Sequence, residues 1–247
     1  MADSVAPHLV SGVELLSLDA GNTVIFLDHE RLARSSRRAV FAPSASDIDR
    51  GEREQKKRAE TGALVDVEWK FVGEKGAPQW GRTVATILSA AGLSNEHLAE
   101  TLNSLWVEHV ERNFWCNVPV NLADALGEVR AHGVRVAIVS NSEGRLDGLF
   151  RSIGLRDLFD DLQDSGVIGI EKPDARIFER AMNACGASPA STLHLGDMFA
   201  TDILGARNAK IRAALIDPLG HYEGMHPDVD RVPGVVAVAK ALVAAKK

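Results

Sequence analysis

Short apolar runs alternate with helical patterns along most of the chain. Runs rich in β-branched residues predict strands, and apolar residues spaced three and four apart predict helices. The predicted strands are residues 13–18, 134–139, 192–195 and 213–216, with a short strand or turn at 165–169. The predicted helices are residues 122–131, 146–153, 175–185, 203–209 and 235–247. This alternation predicts an α/β fold with a doubly wound parallel sheet that is covered on both faces.

The segment from residue 29 to residue 118 has a different pattern. It shows little strand pattern, and apolar residues return at helical spacing between Val84 and Val110. Three of the four tryptophans, Trp69, Trp80 and Trp106, lie well inside it. We therefore predict an α-helical cap domain at residues 29–118 with a small core of its own. The cap is inserted into a core domain made of residues 1–28 and 119–247.

Composition and charge exclude several classes of protein. The chain has 247 residues, of which 45% are hydrophobic and 25% charged, the balance of a soluble globular protein. The net charge of −6 argues against a nucleic-acid binder. We see no signal-like N-terminus and no apolar run of about 20 residues, so we expect a cytoplasmic protein without a membrane partner. Cys116 and Cys185 form no CxxC pair and are too few for a disulfide scaffold, so we expect two thiols in a reducing compartment. We expect a monomer or a homodimer.

Polar residues lie at the ends of four predicted strands. They are Asp19 after the first strand, Ser140 and Asn141 after the second, Lys172 near the third, and Asp197 and Asp202 after the fourth. Ligands of parallel sheets bind at the carboxyl ends of the strands, so we expect these side chains to converge. A carboxylate can attack a phosphoryl group when a cation neutralises the charge, and Mg²⁺ prefers oxygen ligands.

The expected roles follow from the chemistry of each side chain. Asp19 is the predicted nucleophile, and Asp19 and Asp197 are predicted Mg²⁺ ligands. Asp202 supplies a further ligand oxygen or orients a bound water. Lys172 provides a fixed positive charge, and the Ser140 hydroxyl binds a phosphoryl oxygen. We also expect Thr23 to orient the nucleophile loop.

In sequence order, these residues resemble the motifs of the haloacid dehalogenase-like superfamily. The motifs read Asp19-Ala20-Gly21-Asn22-Thr23, Val139-Ser140-Asn141, Glu171-Lys172-Pro173-Asp174 and Gly196-Asp197 with Asp202. The resemblance implies a Rossmann-like core with an inserted cap and a Mg²⁺-dependent hydrolase that forms an aspartyl intermediate. It implies that the backbone carbonyl of Gly21 is a Mg²⁺ ligand. It also implies substrate contacts from Ser140, Asn141, Lys172 and Gly21.

Gly21 departs from the pattern of the phosphatases in this superfamily. They carry a second Asp here, which protonates the leaving group and then activates water. Glycine does neither, and such general acid–base help contributes about 10²–10⁴-fold. We therefore expect weak phosphatase activity on a small phosphorylated metabolite, or a leaving group that needs no proton.

Four alternatives stay open. A phosphonatase-type hydrolase would need a cap lysine, for which Lys56, Lys57, Lys70 and Lys75 are available. A dehalogenase fits less well, because dehalogenases of this superfamily usually carry an aromatic residue in place of Gly21 and use no metal. A cap carboxylate or histidine would replace the missing acid, or the chain would be a non-catalytic binding protein with this fold.

Two further features have simpler interpretations. Arg31, Arg34 and Arg38 share one face of a predicted helix, and we interpret them as a solvated basic face. His194 lies inside a predicted buried strand, and we interpret it as a packed core histidine.

Overall fold

The computed structural model describes residues 5–246. Its strands are β1 (Leu15–Leu18), β2 (Phe26–Leu27), β3 (Trp115–Asn117), β4 (Arg135–Ser140), β5 (Asp161–Asp164), β6 (Thr192–Gly196), β7 (Arg212–Ile216) and β8 (Arg231–Val232). Its α-helices are α1 (Pro7–Val10), α2 (His29–Ser35), α3 (Ala45–Glu60), α4 (Ala77–Ala90), α5 (Asn95–Glu111), α6 (Leu122–Ala131), α7 (Leu146–Ser152), α8 (Ser165–Ile168), α9 (Ala175–Cys185), α10 (Leu204–Asn208) and α11 (Val235–Ala245). Residues 1–4 and Lys247, which the predicted core domain includes, lie outside the described residues.

The main sheet is parallel and has the strand order β5-β4-β1-β6-β7-β8. The chain runs outward from β1 to β4 and β5, and then crosses back to β6 on the other side of β1. The strand order therefore reverses beside β1, which is where ligands bind in sheets of this kind. The predicted doubly wound α/β fold is confirmed.

Both faces of the sheet are covered because the strands are apolar on both faces. All four residues of β1 are buried. Helices α9 and α10 pack against one face through a cluster of apolar residues that includes Leu15, Val139, Phe178 and Ala206. Helices α6 and α11 contact each other, and they contact β4 and β8 respectively. This burial of apolar surface stabilises the sheet and fixes the positions of the strand ends.

The predicted elements agree with the structure except near two strand ends. Residues 165–169 do not form a strand, because α8 begins at Ser165 with the Asp164 side chain accepting a hydrogen bond from the backbone of Gly166. The strand precedes it as β5, whose polar residues suit an edge position. The helix predicted to begin at residue 203 is preceded by a π-helical turn, Phe199–Ile203.

The described chain divides into two compact units. The core unit contains residues 5–26, 118–141 and 145–246, and the cap unit contains residues 27–117 and 142–144. The boundaries lie close to the predicted domain division, which stays a prediction because compactness does not show independent folding. Within residues 5–246, no helix is long and apolar enough to cross a membrane.

The interior of the cap unit is a cluster of aromatic rings. The rings of Trp69, Trp80 and Trp106 contact one another with centroid separations of 5.0–5.9 Å. His109 stacks against Trp106 at 5.7 Å and against Phe114 at 6.0 Å. Each such aromatic pair contributes about 0.5–1.5 kcal/mol beyond the area that it buries. The apolar interior of the cap unit is therefore centred on these rings.

The prediction of a solvated basic face is wrong for Arg31. Its side chain is buried and donates to Glu108 Oε1 at 2.9 Å and to the backbone carbonyl of Asn113 at 2.9 Å. The guanidinium also lies over the ring of Phe114 at 4.2 Å. Arg31 therefore holds the end of α5, where helix carbonyls need donors. Arg34 is exposed, as a solvated face requires.

A short segment after β4 packs within the cap unit. Glu143 accepts a hydrogen bond from His109 Nε2 at 3.0 Å and from Asn113 Nδ2 at 3.3 Å. Gly76 approaches it so closely that a Cβ atom on residue 76 would lie 2.1 Å from the Cβ of Glu143. Residue 76 therefore has to be glycine, and Glu143 is held by two side chains at the end of α5.

Candidate active site

Asp19 lies directly after the central strand β1. Its backbone N–H donates to the carbonyl of Leu195 on β6 at 2.8 Å, which continues the strand pairing by one residue. The loop then turns back, and the N–H groups of Val24 and Ile25 donate to the carbonyl of Ala20 at 2.9 and 3.0 Å. Asp19 is only 7% exposed. The backbone of β1 and its tight loop thus hold the carboxylate at the switch point of the sheet.

Lys172 brings a positive charge to Asp19. Its Nζ lies 2.6 Å from Oδ1 of Asp19 and 2.6 Å from Oδ1 of Asp202. Asn141 fixes the backbone of Lys172, since its Nδ2 donates to the Lys172 carbonyl at 2.9 Å and its Oδ1 accepts from the Lys172 N–H at 2.7 Å. The side-chain amide of Asn141, which the resemblance assigns to substrate, is thus engaged in positioning the lysine.

Asp202 is held by three donors from three parts of the core. Besides Lys172, the backbone N–H of Met198 donates to its Oδ2 at 2.8 Å, and His194 Nε2 lies 3.3 Å from its Oδ1. Gly196 allows this approach, because a Cβ there would lie 2.2 Å from Cγ of Asp202. A fully buried carboxylate is stable when its oxygens are this well supplied with donors.

His194 connects Asp202 to the interior of the sheet. Its Nδ1 lies 2.9 Å from the hydroxyl of Ser17, and its ring packs edge-on against Phe178 at 4.9 Å. These partners fix the tautomer in which Nε2–H donates to Asp202 and Nδ1 accepts from Ser17. His194 is fully buried, as expected, but it also orients a site carboxylate.

The ionisation of this network follows from burial and from the neighbouring charges. Burial lowers the pKa of Lys172, but Asp19 and Asp202 outweigh it, so the net shift is upward and the ammonium stays charged. Burial also opposes the ionised form of Asp202, but Lys172 and His194 hold the pKa of Asp202 below its usual range. Burial raises the pKa of Asp19, against the attraction of Lys172. Burial lowers the pKa of His194, so this imidazole is neutral.

Asp19, Asp197 and Asp202 form an acidic cluster. One oxygen from each carboxylate lies within 4.8 Å of the others, and all three residues are buried. Three carboxylates in so small a volume repel one another unless cations lie among them. Lys172 provides one positive charge to this cluster, and the carboxylate oxygens are hard donors of the kind that Mg²⁺ prefers.

The remaining predicted residues lie at the same end of the sheet. Ser140 is the last residue of β4 and is buried. Thr23 is buried, and its hydroxyl has no hydrogen-bond partner among the residues that the structure describes. Gly21 pairs with Ile25 in a short bridge, and a Cβ on residue 21 would meet no atom within 4 Å. The roles predicted for these residues stay predictions.

Sequence reasoning missed the link between Ser17 and Asp202 through His194. Ser17 and His194 are register partners on the neighbouring strands β1 and β6. Each is the polar residue within a run of leucines, so a signal was present in the sequence. A polar residue at the centre of a buried strand needs a hydrogen-bonding partner, and another such strand is a natural place to search for it.

Comparisons with known proteins agree with this geometry. The model of the haloacid dehalogenase-like hydrolase family matches residues 13–210. The chain is 28% identical over 208 residues to human haloacid dehalogenase-like hydrolase domain-containing protein 3, covering 83% of this chain and 82% of the human protein. It is also 34% identical over 99 residues to a glyceraldehyde 3-phosphate phosphatase of Methanothermobacter thermautotrophicus, which covers 39% of this chain and 43% of that enzyme.

Solved structures of this fold are similar across most of the chain. L-2-haloacid dehalogenase from Xanthobacter autotrophicus matches with a TM-score of 0.55 and 21% identity, over 83% of this chain and 77% of the dehalogenase. A HAD phosphatase from Thermococcus onnurineus matches with a TM-score of 0.51 and 16% identity, over 83% of this chain and 86% of the phosphatase. These likenesses show the fold. The match of the family model over residues 13–210, most of the chain, shows that this chain belongs to the haloacid dehalogenase-like hydrolase family.

Proposed function

We propose that this hydrolase is a Mg²⁺-dependent phosphatase that transfers a phosphoryl group from a small phosphorylated metabolite to Asp19. The observation that carries the proposal is the charged Lys172 Nζ, 2.6 Å from a buried carboxylate that follows the central strand. An anionic substrate needs such a fixed positive charge to approach a carboxylate. The similarity to a glyceraldehyde 3-phosphate phosphatase and to a phosphoserine phosphatase of Thermus thermophilus supports a phosphorylated substrate.

The residues present fit a hard divalent cation. Asp19, Asp197 and the carbonyl of Gly21 would hold Mg²⁺, which would neutralise charge on the transferring group. Both oxygens of Asp202 already accept hydrogen bonds. Asp202 therefore fits better as the group that orients a water bound to the ion than as a direct ligand.

The chain's own residues then divide the work of the first half-reaction. Lys172 fixes Oδ1 of Asp19, and the attack is assigned to Oδ2. The Ser140 hydroxyl and the Lys172 ammonium bind oxygens of the phosphoryl group as it transfers. Thr23 lies in the nucleophile loop, where its buried hydroxyl can support the loop or meet a substrate oxygen. Asn141 and Asp202 already hold Lys172 in position for this step.

Hydrolysis of an aryl phosphate tests the proposal, because an aryl leaving group needs almost no proton. We expect purified protein to turn over 4-nitrophenyl phosphate with Mg²⁺ and to stop in chelator. Asp19→Asn should abolish turnover. Asp124→Asn, which changes an exposed carboxylate on α6, should retain it. Absence of turnover by the native protein, or full activity of Asp19→Asn, would contradict the proposal.

Two further assays separate the alternative chemistries. Lys56 is the buried one of the four cap lysines considered, since Lys57, Lys70 and Lys75 are exposed. A phosphonatase-type reaction would form an imine between a cap lysine and a β-oxo phosphonate, and borohydride would trap that imine. Chloride release from a 2-chloro acid without Mg²⁺ would instead indicate a dehalogenase.

A further inference from the structure

Nothing in the local structure requires glycine at position 21. A Cβ there would meet no atom within 4 Å, and the φ angle of Gly21 is not among the positive values of the chain. A larger side chain therefore fits both the space and the backbone. The open position lies two residues after Asp19 in the same loop, where the phosphatases of this family carry their second Asp. Packing therefore does not explain why position 21 carries no proton-transferring side chain.

Three ionisable neighbours of Asp19 are already engaged with one another or with Asp19. Lys172 is charged and donates to two carboxylates. Asp202 accepts on both oxygens, and His194 is fully buried with both ring nitrogens in hydrogen bonds. Among the described residues of this network, these groups serve to hold one another in place. None of the three is available to take a proton from an attacking water.

The two half-reactions therefore have unequal support. The first needs a nucleophile, a positive charge and a leaving group that departs as a stable anion, and Asp19 and Lys172 supply the protein's share. The second needs a base to take a proton from water, and the open position at Gly21 supplies none. General acid–base help contributes about 10²–10⁴-fold, so the second step is slowed by about that factor.

We infer that phosphorylated Asp19 accumulates during turnover and that its hydrolysis is the slow step. The suitable donors are acyl phosphates and aryl phosphates. Asp19 Oδ2 forms a bond to phosphorus, and the bond from phosphorus to the leaving oxygen breaks with its electron pair. The leaving group departs as a carboxylate or a phenolate without taking a proton. Water later attacks phosphorus slowly, and the bond from phosphorus to Oδ2 breaks with its electron pair. Phosphate leaves, Asp19 is restored as a carboxylate, and the proton of the water passes to the solvent. This inference rests on the proposed phosphatase function.

Rapid-quench kinetics with Mg²⁺ tests the inference. We expect 4-nitrophenyl phosphate to give a burst of nitrophenolate equal to the enzyme concentration, followed by a slow steady state. Acetyl phosphate should label the protein with one phosphoryl group, which mass spectrometry places on the peptide that contains Asp19. Hydroxylamine should remove the label, as it does from acyl phosphates.

Two variants of equal side-chain size connect the slow step to position 21. Gly21→Asp restores a proton-transferring group, so we expect it to raise the steady-state rate by about 10²–10⁴-fold and to remove the burst. Gly21→Asn has nearly the same size but transfers no proton at neutral pH, so its steady-state rate should not rise as that of Gly21→Asp does.

The possible failures can be told apart. Steady turnover by the native protein without a burst or a label would overturn the inference and leave the phosphatase proposal standing. A burst with equal slow rates in Gly21→Asp and the native protein would also overturn it, since the missing group would not be the cause. Neither turnover nor label with either donor would overturn the proposed function itself.

Discussion

The two compact units of this chain are built around different kinds of interior. The core unit buries a chain of polar and charged groups in which Asp19, Lys172, Asp202 and His194 bind one another in turn. The cap unit buries a cluster of aromatic rings around Trp106. Charge balance therefore decides whether the core site is stable, and the fit of volumes decides whether the cap interior is stable.

Removal of the positive charge at Lys172 should lower the free energy of unfolding more than any other change considered below. Lys172→Met keeps most of the side-chain volume and leaves Asp19 and Asp202 buried without their shared cation. Removing one partner of a buried ion pair costs about 3–5 kcal/mol. We expect the free energy of unfolding to fall by about this amount in urea unfolding at neutral pH with chelator present.

The matched control is Lys240→Met on α11, where the lysine is exposed. Such surface changes usually alter the free energy of unfolding by less than about 0.5 kcal/mol. Equal stability of the Lys172 and Lys240 variants would show that charge balance does not hold the core site together.

A single methyl group tests whether volume decides the fit of the cap. Gly76 has a φ of +81° and lies against the backbone of Glu143. Gly76→Ala adds backbone strain and overpacking, so we expect a loss of about 2–4 kcal/mol. All four tryptophans lie within residues 27–117, so tryptophan fluorescence reports the unfolding of the cap.

Gly21→Ala is the control for that change, because its added methyl group meets nothing within 4 Å and requires no left-handed backbone. Its fluorescence-detected unfolding should match that of the native protein. If the two alanine variants unfold alike, close packing at Gly76 does not limit the stability of the cap.

The smallest expected effect comes from an ion pair in the cap. His29 Nε2 lies 2.6 Å from Oε2 of Glu52, and this hydrogen bond raises the pKa of His29 above 6.5, against burial. A raised pKa in the folded state gives stability that is full below pH 6.5 and is lost as the pH rises through the folded-state pKa. We expect a loss of about 1 kcal/mol or less over that range.

Urea unfolding at a series of pH values, followed by tryptophan fluorescence, measures this slope. His29→Gln should remove the contribution of this ion pair to the slope, and His132→Gln at an exposed position should leave the slope unchanged. An identical slope in His29→Gln and the native protein would assign the pH dependence to other groups.

The convergence of the core residues could be predicted because parallel strands all end at the same edge of the sheet. Asp19, Lys172 and Asp202 are far apart in sequence, yet each lies at or beyond the end of a parallel strand. Their meeting follows from the direction of the strands. The contact between Ser17 and His194 needed the pairing of β1 with β6, and strand neighbours are not fixed by chain order. The edge strand β5 was missed because its polar residues carry no buried-strand pattern.

The cap was predictable only in outline. Helical spacing and three tryptophans indicated a helical unit with its own core. The burial of Arg31 depends on where the chain goes after α5, since Arg31 binds carbonyls at that turn. The packing of Glu143 with His109 depends on loops whose conformations are not set by periodicity. Such contacts are decided by tertiary packing, and a single sequence does not show them.

The packing of residues 142–144 affects how the cap unit can be exchanged between related proteins. A cap exchanged between relatives by cutting at residues 26/27 and 117/118 would leave Glu143 behind, because it lies in a separate stretch of the chain. The recipient would then keep its own residue at position 143, while the His109 and Asn113 that bind this residue would come from the donor cap. Functional chimeras therefore require a third exchanged piece, and natural caps in this lineage should diversify together with the three residues that follow Asn141.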